Sequence, residues 1–340
     1  MKAPNYISLI FLCCFGVASA QGLHFSQYFN APLLVNPANA GFNPDYNYRF
    51  GGNYRNQWAN LASPPYQTSC LWGDVQMFTG KFQNSWIGLG GTIYKDQAGS
   101  GNLTSTQGYA SIAYHQLLGN SSLLSLGVNL GAVSKNIDLN KLTFDNQWNG
   151  QFFNTSSPVE GGENFVKNNV TYFDMQIGLN YAWFVSETVY LNVGYSAMHI
   201  NKPTESFFSV NSDVDATVPI RSTLFFNGSF KLQDLWILNP NIYISKSGGN
   251  NEAVVGMNAN RNLSGDGAKQ LILGLYYRYR DAFIPMVGYQ LNDLKMTVSY
   301  DVTASNLAGF NGSQGGYELS IVKSGSFDRT HPIKCNAPKF

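Results

Sequence analysis

The sequence predicts an all-β fold, an outer-membrane antiparallel β-barrel of about 14 strands with an irregular N-terminal lead-in. Residues 171–183 and 189–199 show the pattern most clearly, because apolar side chains alternate with polar ones or glycine on either side of a short turn. Each run alternates for about 9–11 residues, the length that a tilted strand needs to cross a bilayer. The two runs therefore predict a membrane hairpin.

The composition supports the same class. Charged residues make up 12% of the chain, against about 25% in ordinary soluble domains, and aromatic residues make up 14%. After residue 20, no apolar run approaches the ~20 residues of a membrane-spanning helix. Alternation hides spanning strands in this way, because each apolar residue is followed by a polar one. The net charge of +1 gives no indication of nucleic-acid binding.

The chain divides into four predicted parts. Residues 1–20 resemble a secretory signal peptide, with Lys2, an apolar run and the small residues Ala18-Ser19-Ala20, so we expect an exported protein that starts at Gln21. Residues 21–44 form a proline-containing lead-in, residues 45–323 the transmembrane barrel, and residues 324–340 a C-terminal periplasmic tail.

Fourteen alternating runs fill the predicted barrel. They lie near residues 45–58, 65–78, 85–95, 103–117, 121–134, 171–183, 189–199, 219–231, 234–246, 251–260, 268–280, 282–291, 293–304 and 315–323.

The connections between these runs predict which end faces the cell exterior. In outer-membrane barrels short turns face the periplasm and long loops face outside, with both termini inside. The sequence predicts tight turns after strands 4, 6, 8 and 12 and long connections after strands 3, 5, 7 and 13. Loop 134–169 is therefore expected outside and turn 118–120 inside. Two connections fit poorly, since 262–268 is long for a periplasmic turn and 280–281 is short for an outer loop.

A soluble β-sandwich or propeller is the alternative fold, and two features oppose it. The second face of the strands is too polar for a packed core, as it includes Arg49, Arg55, Asp174, Arg278 and Arg280. Aromatic residues lie near strand ends on the apolar face, where a membrane girdle is expected; these are Trp236, Tyr277, Tyr300 and Tyr317. On this basis the central side chains Leu126, Val128, Ile177 and Leu179 face lipid, and Asn129 faces the lumen.

No motif for catalysis, cofactor binding or metal binding is apparent. The four histidines lack the spacing of a zinc site, and no G-x-S-x-G sequence is present. The Gly-rich segments 96–101 and 247–250 lack the Lys-Ser/Thr of a phosphate-binding loop and are expected to be loop tips. We expect no enzyme activity. Cys70 and Cys335 are expected to be free thiols, one mid-strand and one in the tail.

Several motifs, read in order, resemble one known family. They are HFSQYFN at 24–30, VNPANAG at 35–41, YRNQW at 54–58, GYSAMHINKP at 194–203 followed by Ser206-Phe207, SYDVT at 299–303 with Tyr317-Glu318-Leu319, and the ending Cys335 to Phe340. Their order and spacing are similar to those of the PorP/SprF family of type IX secretion proteins. The ending departs slightly from that family, because Asn336 and Ala337 separate Cys335 from Pro338.

The resemblance implies a non-enzymatic outer-membrane component of the secretion and gliding machinery of Bacteroidota. It implies partners among secreted proteins with a particular C-terminal domain, which the family helps to export or to hold at the cell surface. It also implies a periplasmic peptidoglycan-binding lipoprotein as a partner of some members. The alternative function for such a barrel is a channel or transporter for hydrophobic small molecules, with the lead-in as a plug.

Aromatic residues in the predicted outer loops are the candidate partner-binding site. Water-exposed rings are unfavourable unless something covers them, and clustered exposed aromatic side chains are frequent anchors of protein interfaces. The alternative is that these rings pack on one another and cover the opening of the barrel. The candidate residues are Phe144, Trp148, Phe152, Phe153, Phe207, Phe208 and Phe310.

Overall fold

The structure is a computed structural model. It describes residues 25–42, 46–59, 64–82, 84–99, 101–119, 121–142, 147–152, 154, 167–207, 216–327, 338 and 340. The segment predicted as a signal peptide lies outside the described residues, as do Phe144, Phe153, Phe208 and Cys335.

Fourteen strands occupy most of the described chain, in agreement with the predicted number. They are β1 (Tyr48–Gln57), β2 (Tyr66–Phe82), β3 (Ser85–Ala98), β4 (Leu103–Leu118), β5 (Ser122–Asn136), β6 (Asn169–Ser186), β7 (Val189–Met198), β8 (Arg221–Leu232), β9 (Trp236–Ser247), β10 (Asn250–Asn262), β11 (Lys269–Arg278), β12 (Ala282–Leu291), β13 (Leu294–Thr303) and β14 (Gln314–Gly325).

The strands form one closed antiparallel barrel. Each strand pairs with its sequence neighbours, and β1 pairs with β14 from Tyr48↔Gly325 to Gln57↔Gly316, so no edge is left open. A closed barrel satisfies the backbone hydrogen bonds of its strands without water, which is what the hydrocarbon region of a bilayer requires. Among the described residues, no helix is both long and apolar enough to span a bilayer.

The alternation of side chains follows the prediction. Leu126, Ile177 and Leu179 expose 55%, 44% and 43% of their surface on the outside of the wall, whereas Asn129 is buried in the lumen. The predicted girdle residues Tyr300 and Tyr317 also point outwards. Of the charged residues assigned to the interior, Arg280 was predicted wrongly. It lies in the turn after β11 with a left-handed backbone, and its guanidinium is exposed above the ring of Tyr279.

We call the end of the barrel with the connections after odd-numbered strands the outer end, and the opposite end the periplasmic end. The connections after β5, β7 and β13 are long, as expected, and span residues 137–168, 199–220 and 304–313. The long connection predicted after β3 is wrong, because that strand continues to Ala98 and leaves only residues 99–102 before β4. The two connections that fitted poorly are present, at 263–268 and 279–281.

Residues 25–42, which we call the plug, lie inside the barrel. The plug contains a 3-10 turn at Tyr28–Asn30, the one-turn helix α1 (Pro32–Val35) and a second 3-10 turn at Pro37–Asn39. Its first residues contact the outer parts of β13 and β14, and Phe42 packs at the periplasmic ends of β3, β5 and β6. The plug therefore runs down the lumen from the outer half to the periplasmic end, where β1 begins.

Candidate functional site

The plug carries no charged side chain, and it is held by polar groups that project from the barrel wall. At its outer end, both carboxylate oxygens of Glu318 accept backbone N–H groups, from Ser26 at 2.8 Å and from Gln27 at 2.9 Å. The hydroxyl of Ser26 donates to Asp301 at 2.9 Å. The first two described polar residues of the plug are thus fixed by two wall carboxylates.

Two arginines balance the charge of these carboxylates. The Arg55 guanidinium contacts Asp301 at 2.6 Å and Glu318 at 3.2 Å, and Arg278 pairs with Asp301 from the other side. All four side chains are almost completely buried. Because removal of one partner leaves a buried charge uncompensated, each break would cost roughly 3–5 kcal/mol. The cluster is therefore a rigid support for the outer end of the plug.

At the middle of the barrel, a row of small residues lets the plug lie directly on the wall. Gly88, Ala113, Gly127 and Gly178 are consecutive partners across β3, β4, β5 and β6. A Cβ atom on any of the three glycines would lie less than 3.0 Å from a plug atom. The plug atoms concerned are Ala40 O for Gly88, Ala38 N for Gly127 and Asn36 Oδ1 for Gly178. We call these three residues the glycine row.

Asn36 explains why the plug turns at the glycine row. Its side-chain oxygen accepts from the backbone of Ala38 at 2.8 Å, which caps the second 3-10 turn. Its side-chain nitrogen donates to the carbonyl oxygens of Leu179 at 2.9 Å and Tyr195 at 3.2 Å. One asparagine thus joins the local fold of the plug to two strands of the wall.

The periplasmic end of the plug is held by aromatic nitrogen donors and a buried ion pair. The indole of Trp86 donates to Gly41 O at 2.9 Å, and His115 Nε2 donates to Ala40 O at 2.7 Å. Asp74 accepts from Gly41 N at 2.8 Å and pairs with Arg49. Because Ala40 O can only accept, the proton of His115 is on Nε2, and Nδ1 accepts from Ser125.

Apolar contacts add to this network at three places. Phe25, Ala31, Leu33 and Ala40 pack with wall residues that include Trp72 and Tyr109. Tyr28 packs against Tyr243, with ring centroids 4.8 Å apart, and Phe42 packs with Trp86 and Leu123. Each buried side chain of this size contributes roughly 1.5–3 kcal/mol, so the plug is part of the folded core.

The plug divides the remaining luminal space. On its outer side, a cavity of about 50 Å³ lies between Phe25, Tyr28, Leu34 and the wall residues Met198 and Tyr243. On its periplasmic side there are cavities of about 160 Å³ and about 180 Å³, whose linings include Phe29, Pro32 and Arg49. Tyr28 and Val35 line cavities on both sides, so this part of the plug is the partition.

The outer rim contains the described members of the predicted aromatic site. Trp148 and Phe152 lie on one turn within residues 147–154 and are 49% and 59% exposed. Phe310 lies on the one-turn helix α2 (Ala308–Asn311) and is 81% exposed. Phe207 is half-buried, and its carbonyl oxygen accepts from Lys167 N at 3.3 Å.

The structure brings only part of this set together. The Lys167–Phe207 contact joins the connection that carries Trp148 to the connection after β7. Glu205 holds the connection after β7 on the wall, because it pairs with Lys135 of β5 at 2.6 Å and accepts from the hydroxyl of Tyr172 of β6 at 2.8 Å. Phe310 is remote from the junction, with strands β8 to β12 between its connection and β7.

Sequence reasoning missed the residues that hold the plug. Glu318, Asp301 and the glycine row were on the predicted luminal face, but nothing in a single sequence pairs them with residues 25–42. One signal was available, since Gly127 and Gly178 each lie between two polar residues on the luminal face of their strands. A luminal glycine on several strands marks a place where another backbone approaches closely.

No group of three or more His, Cys, Asp or Glu residues able to hold a metal ion occurs in the part of the chain that the structure describes. Cys70 is buried and has no disulfide partner within that part.

Solved structures with a similar fold are outer-membrane channels. The toluene transporter TbuX from Ralstonia pickettii superposes with a TM-score of 0.51 and 11% identity, over 88% of this chain and 94% of that chain. The monoaromatic hydrocarbon channel CymD gives a TM-score of 0.51 and 10% identity, over 87% of this chain and 93% of that chain. At this identity, the likeness shows the fold alone.

Sequence comparison identifies the family. A search of curated protein sequences finds no significant match. The family profile described as type IX secretion system membrane protein PorP/SprF matches residues 17–322, which is most of the chain and includes the plug and nearly the whole barrel. The closed barrel fold agrees with a membrane protein of this family. The chain therefore belongs to the PorP/SprF family of type IX secretion membrane proteins, and it is an outer-membrane component of that system.

Proposed function

We propose that this barrel is a non-enzymatic component of type IX secretion that binds the C-terminal domain of a secreted protein and helps to export it or to attach it to the cell surface. Membership of the family supplies the secretion role. The observation that carries the binding role is the exposed aromatic rim, where Trp148, Phe152 and Phe310 present rings to the outside of a plugged barrel.

The rim has the properties of a protein-binding surface. Exposed aromatic clusters supply much of the binding energy of protein interfaces, and truncation of a central ring typically costs ~2 kcal/mol or more. The hydrogen bond from Lys167 N to Phe207 O joins two of the connections, and Glu205 holds the connection after β7 on β5 and β6, so part of this surface is preorganised. We propose that the same barrel associates with a periplasmic peptidoglycan-binding lipoprotein at its opposite end.

The test is the release of the secreted partner by rim variants. The double variants Trp148→Ala with Phe152→Ala, and Phe207→Ala with Phe208→Ala, should leave the barrel at normal abundance in the outer membrane. Each should lower the amount of partner at the cell surface, by about tenfold or more for a loss of ~2 kcal/mol. Surface proteomics of intact cells measures the partner, and immunoblotting of membranes measures the barrel.

Tyr279→Ala is the matched control for these variants. Tyr279 is 54% exposed in the outer turn after β11, so its loss also removes an exposed ring, but away from the connections after β5 and β7 that the double variants change. It should leave the partner at its native level. If both double variants retain the partner at unchanged barrel abundance, the binding surface is not the aromatic rim.

A channel for hydrophobic small molecules is the second candidate. Its support is the fold shared with hydrocarbon channels and the apolar outer cavity beside Tyr28 and Leu34. The outer cavity opposes it, because about 50 Å³ is small compared with the ~150 Å³ of an engineered cavity that binds benzene. The cavities of about 160 Å³ and about 180 Å³ lie on the other side of the plug. Mild-detergent purification followed by mass spectrometry separates the two candidates. A co-purifying protein domain supports the first, and a lipid or hydrocarbon in the lumen supports the second.

A further inference from the structure

We infer that the plug stays in the lumen while the protein works, so that the secreted partner is bound on the outer side of the barrel and does not pass through it. This inference rests on the proposed function, because it concerns the same partner. Three observations carry it: the hydrogen bonds between the wall and the plug backbone, the glycine row, and the hydrogen bonds that the plug donates to the outer carboxylates.

The wall contacts the plug backbone along its whole length. Glu318 accepts from the amides of Ser26 and Gln27 at the outer end, and the indole of Trp72 donates to Asn30 O at 2.9 Å. Ser196 donates to Val35 O at 2.6 Å further down the lumen. Because these contacts begin near the outer end and continue to Gly41, no part of the plug can leave without breaking buried hydrogen bonds.

The luminal face of the wall matches the shape of the plug. A Cβ atom on any glycine of the row would overlap Asn36, Ala38 or Ala40, so the wall carries no side chain where the plug lies against it. A passing polypeptide with ordinary side chains would have to displace the plug and then fit against the same row. Glycines at fixed positions on β3, β5 and β6, with Ala113 of β4 between them, match a permanent inner element better than a conduit for a variable chain.

The carboxylates of the outer lumen complete their hydrogen bonding with the plug. Glu318 has one ion pair, with Arg55, and completes its hydrogen bonding with two plug amides. Withdrawal of the neutral plug would leave this buried carboxylate with fewer donors, and water would have to replace both amides. The partner therefore meets a closed floor formed by Phe25, Tyr28 and Leu34 rather than an open pore.

A disulfide between the plug and the wall tests the inference. A Cβ atom built on Gly90 would lie 3.4 Å from Ala40 Cβ, close to the ~3.5–4.5 Å that disulfides show. The double variant Ala40→Cys with Gly90→Cys, in a background with Cys70→Ala and Cys335→Ala, should form this disulfide in the oxidising cell envelope. The single variants Ala40→Cys and Gly90→Cys in the same background are the matched controls.

The locked protein should export and retain the partner within about twofold of either single variant. If the lock abolishes export or surface attachment and a reductant restores it, the plug must move and the inference is wrong. If native protein and locked protein both fail to hold any partner, the proposed function fails instead, so the two failures are distinguishable.

The disulfide holds only the periplasmic end of the plug, so a second measurement tests its middle and also serves if the double variant does not assemble. Ala38 is completely buried against the glycine row, so Ala38→Cys should stay unreactive towards a membrane-impermeant maleimide on intact, actively secreting cells. Labelling comparable to that of Trp148→Cys, which is half-exposed on the rim, would show that the plug opens during secretion and would overturn the inference.

Discussion

At the scale of single residues, the absence of a side chain is as important as its presence. Gly178 faces the lumen between Gln176 and Asn180, and a Cβ atom there would overlap the side chain of Asn36. Asn36 in turn bonds to Leu179 and Tyr195. One added methyl group therefore acts on a side chain that joins the plug to two strands.

Gly178→Ala is expected to loosen the middle of the plug. Overpacking of a tight site typically costs ~1–3 kcal/mol, and the loss of the Asn36 hydrogen bonds adds to this. Thermal unfolding in detergent should shift to lower temperature, and the lead-in should become a substrate for limited proteolysis. Gly108→Ala is the matched control, because a Cβ atom at this position, on the outside of β4, would have no other atom within 4 Å. Equal behaviour of the two variants would contradict the role of the glycine row.

Residue-level prediction from the sequence succeeded where a period-2 pattern decides the outcome. Leu126 and Asn129 are assigned to opposite faces correctly because a strand has only two faces. It failed for Arg280, which continues the pattern of Arg278 but lies beyond the end of the strand. Periodicity does not show where a strand ends, and the turn conformation of Arg280 depends on the pairing of β11 with β12.

At the scale of elements, the lead-in differs most from what the sequence alone suggests. Its prolines and lack of alternation predict only that it is not a strand. The structure folds it into three short turns whose unpaired backbone groups are satisfied by the wall rather than by regular helix or sheet. Contacts between residues about 270 positions apart, such as those of Gln27 with Ser299, leave no local signal in the sequence.

The sidedness of the connections also belongs to this scale. Register, rather than length, should decide the side, because the chain alternates ends at every strand. The two-residue connection Gly248–Gly249 follows an odd-numbered strand and is as short as a periplasmic turn.

An epitope inserted after Gly249 should therefore be labelled on intact cells, as should one after Ser157, which lies outside the described residues. An epitope at Gly119, after β4, should be labelled only in permeabilised cells. Surface labelling at Gly119 with none at Gly249 would reverse the assigned ends.

At the scale of the whole molecule, the barrel has three layers of different chemistry. Aliphatic and aromatic side chains cover its outside, a polar and charged layer lines the wall, and the uncharged plug fills the middle. The plug removes the need for a large apolar core, because luminal asparagines such as Asn129 bond both to neighbouring strands and to the plug. For this reason an arginine at Asn129 would disturb the plug, although this position faces the lumen and not the lipid.

The lipid-facing layer gives the last prediction, since the cost of a charge there depends on its depth in the bilayer. Val128 lies at the middle of β5, and Ala132 lies four residues nearer the outer end, on the same face of the same strand. An arginine should cost ~2–4 kcal/mol at the bilayer midplane and ~0–1 kcal/mol near the interface. Four residues along a tilted strand correspond to a shift in depth of roughly 10 Å, enough to separate these cases. Val128→Arg should therefore lower the folded fraction in a urea titration in lipid vesicles far more than Ala132→Arg. Both variants keep the plug contacts, because neither side chain faces the lumen. Equal destabilisation by the two arginines would therefore place the bilayer midplane at a different height on the barrel.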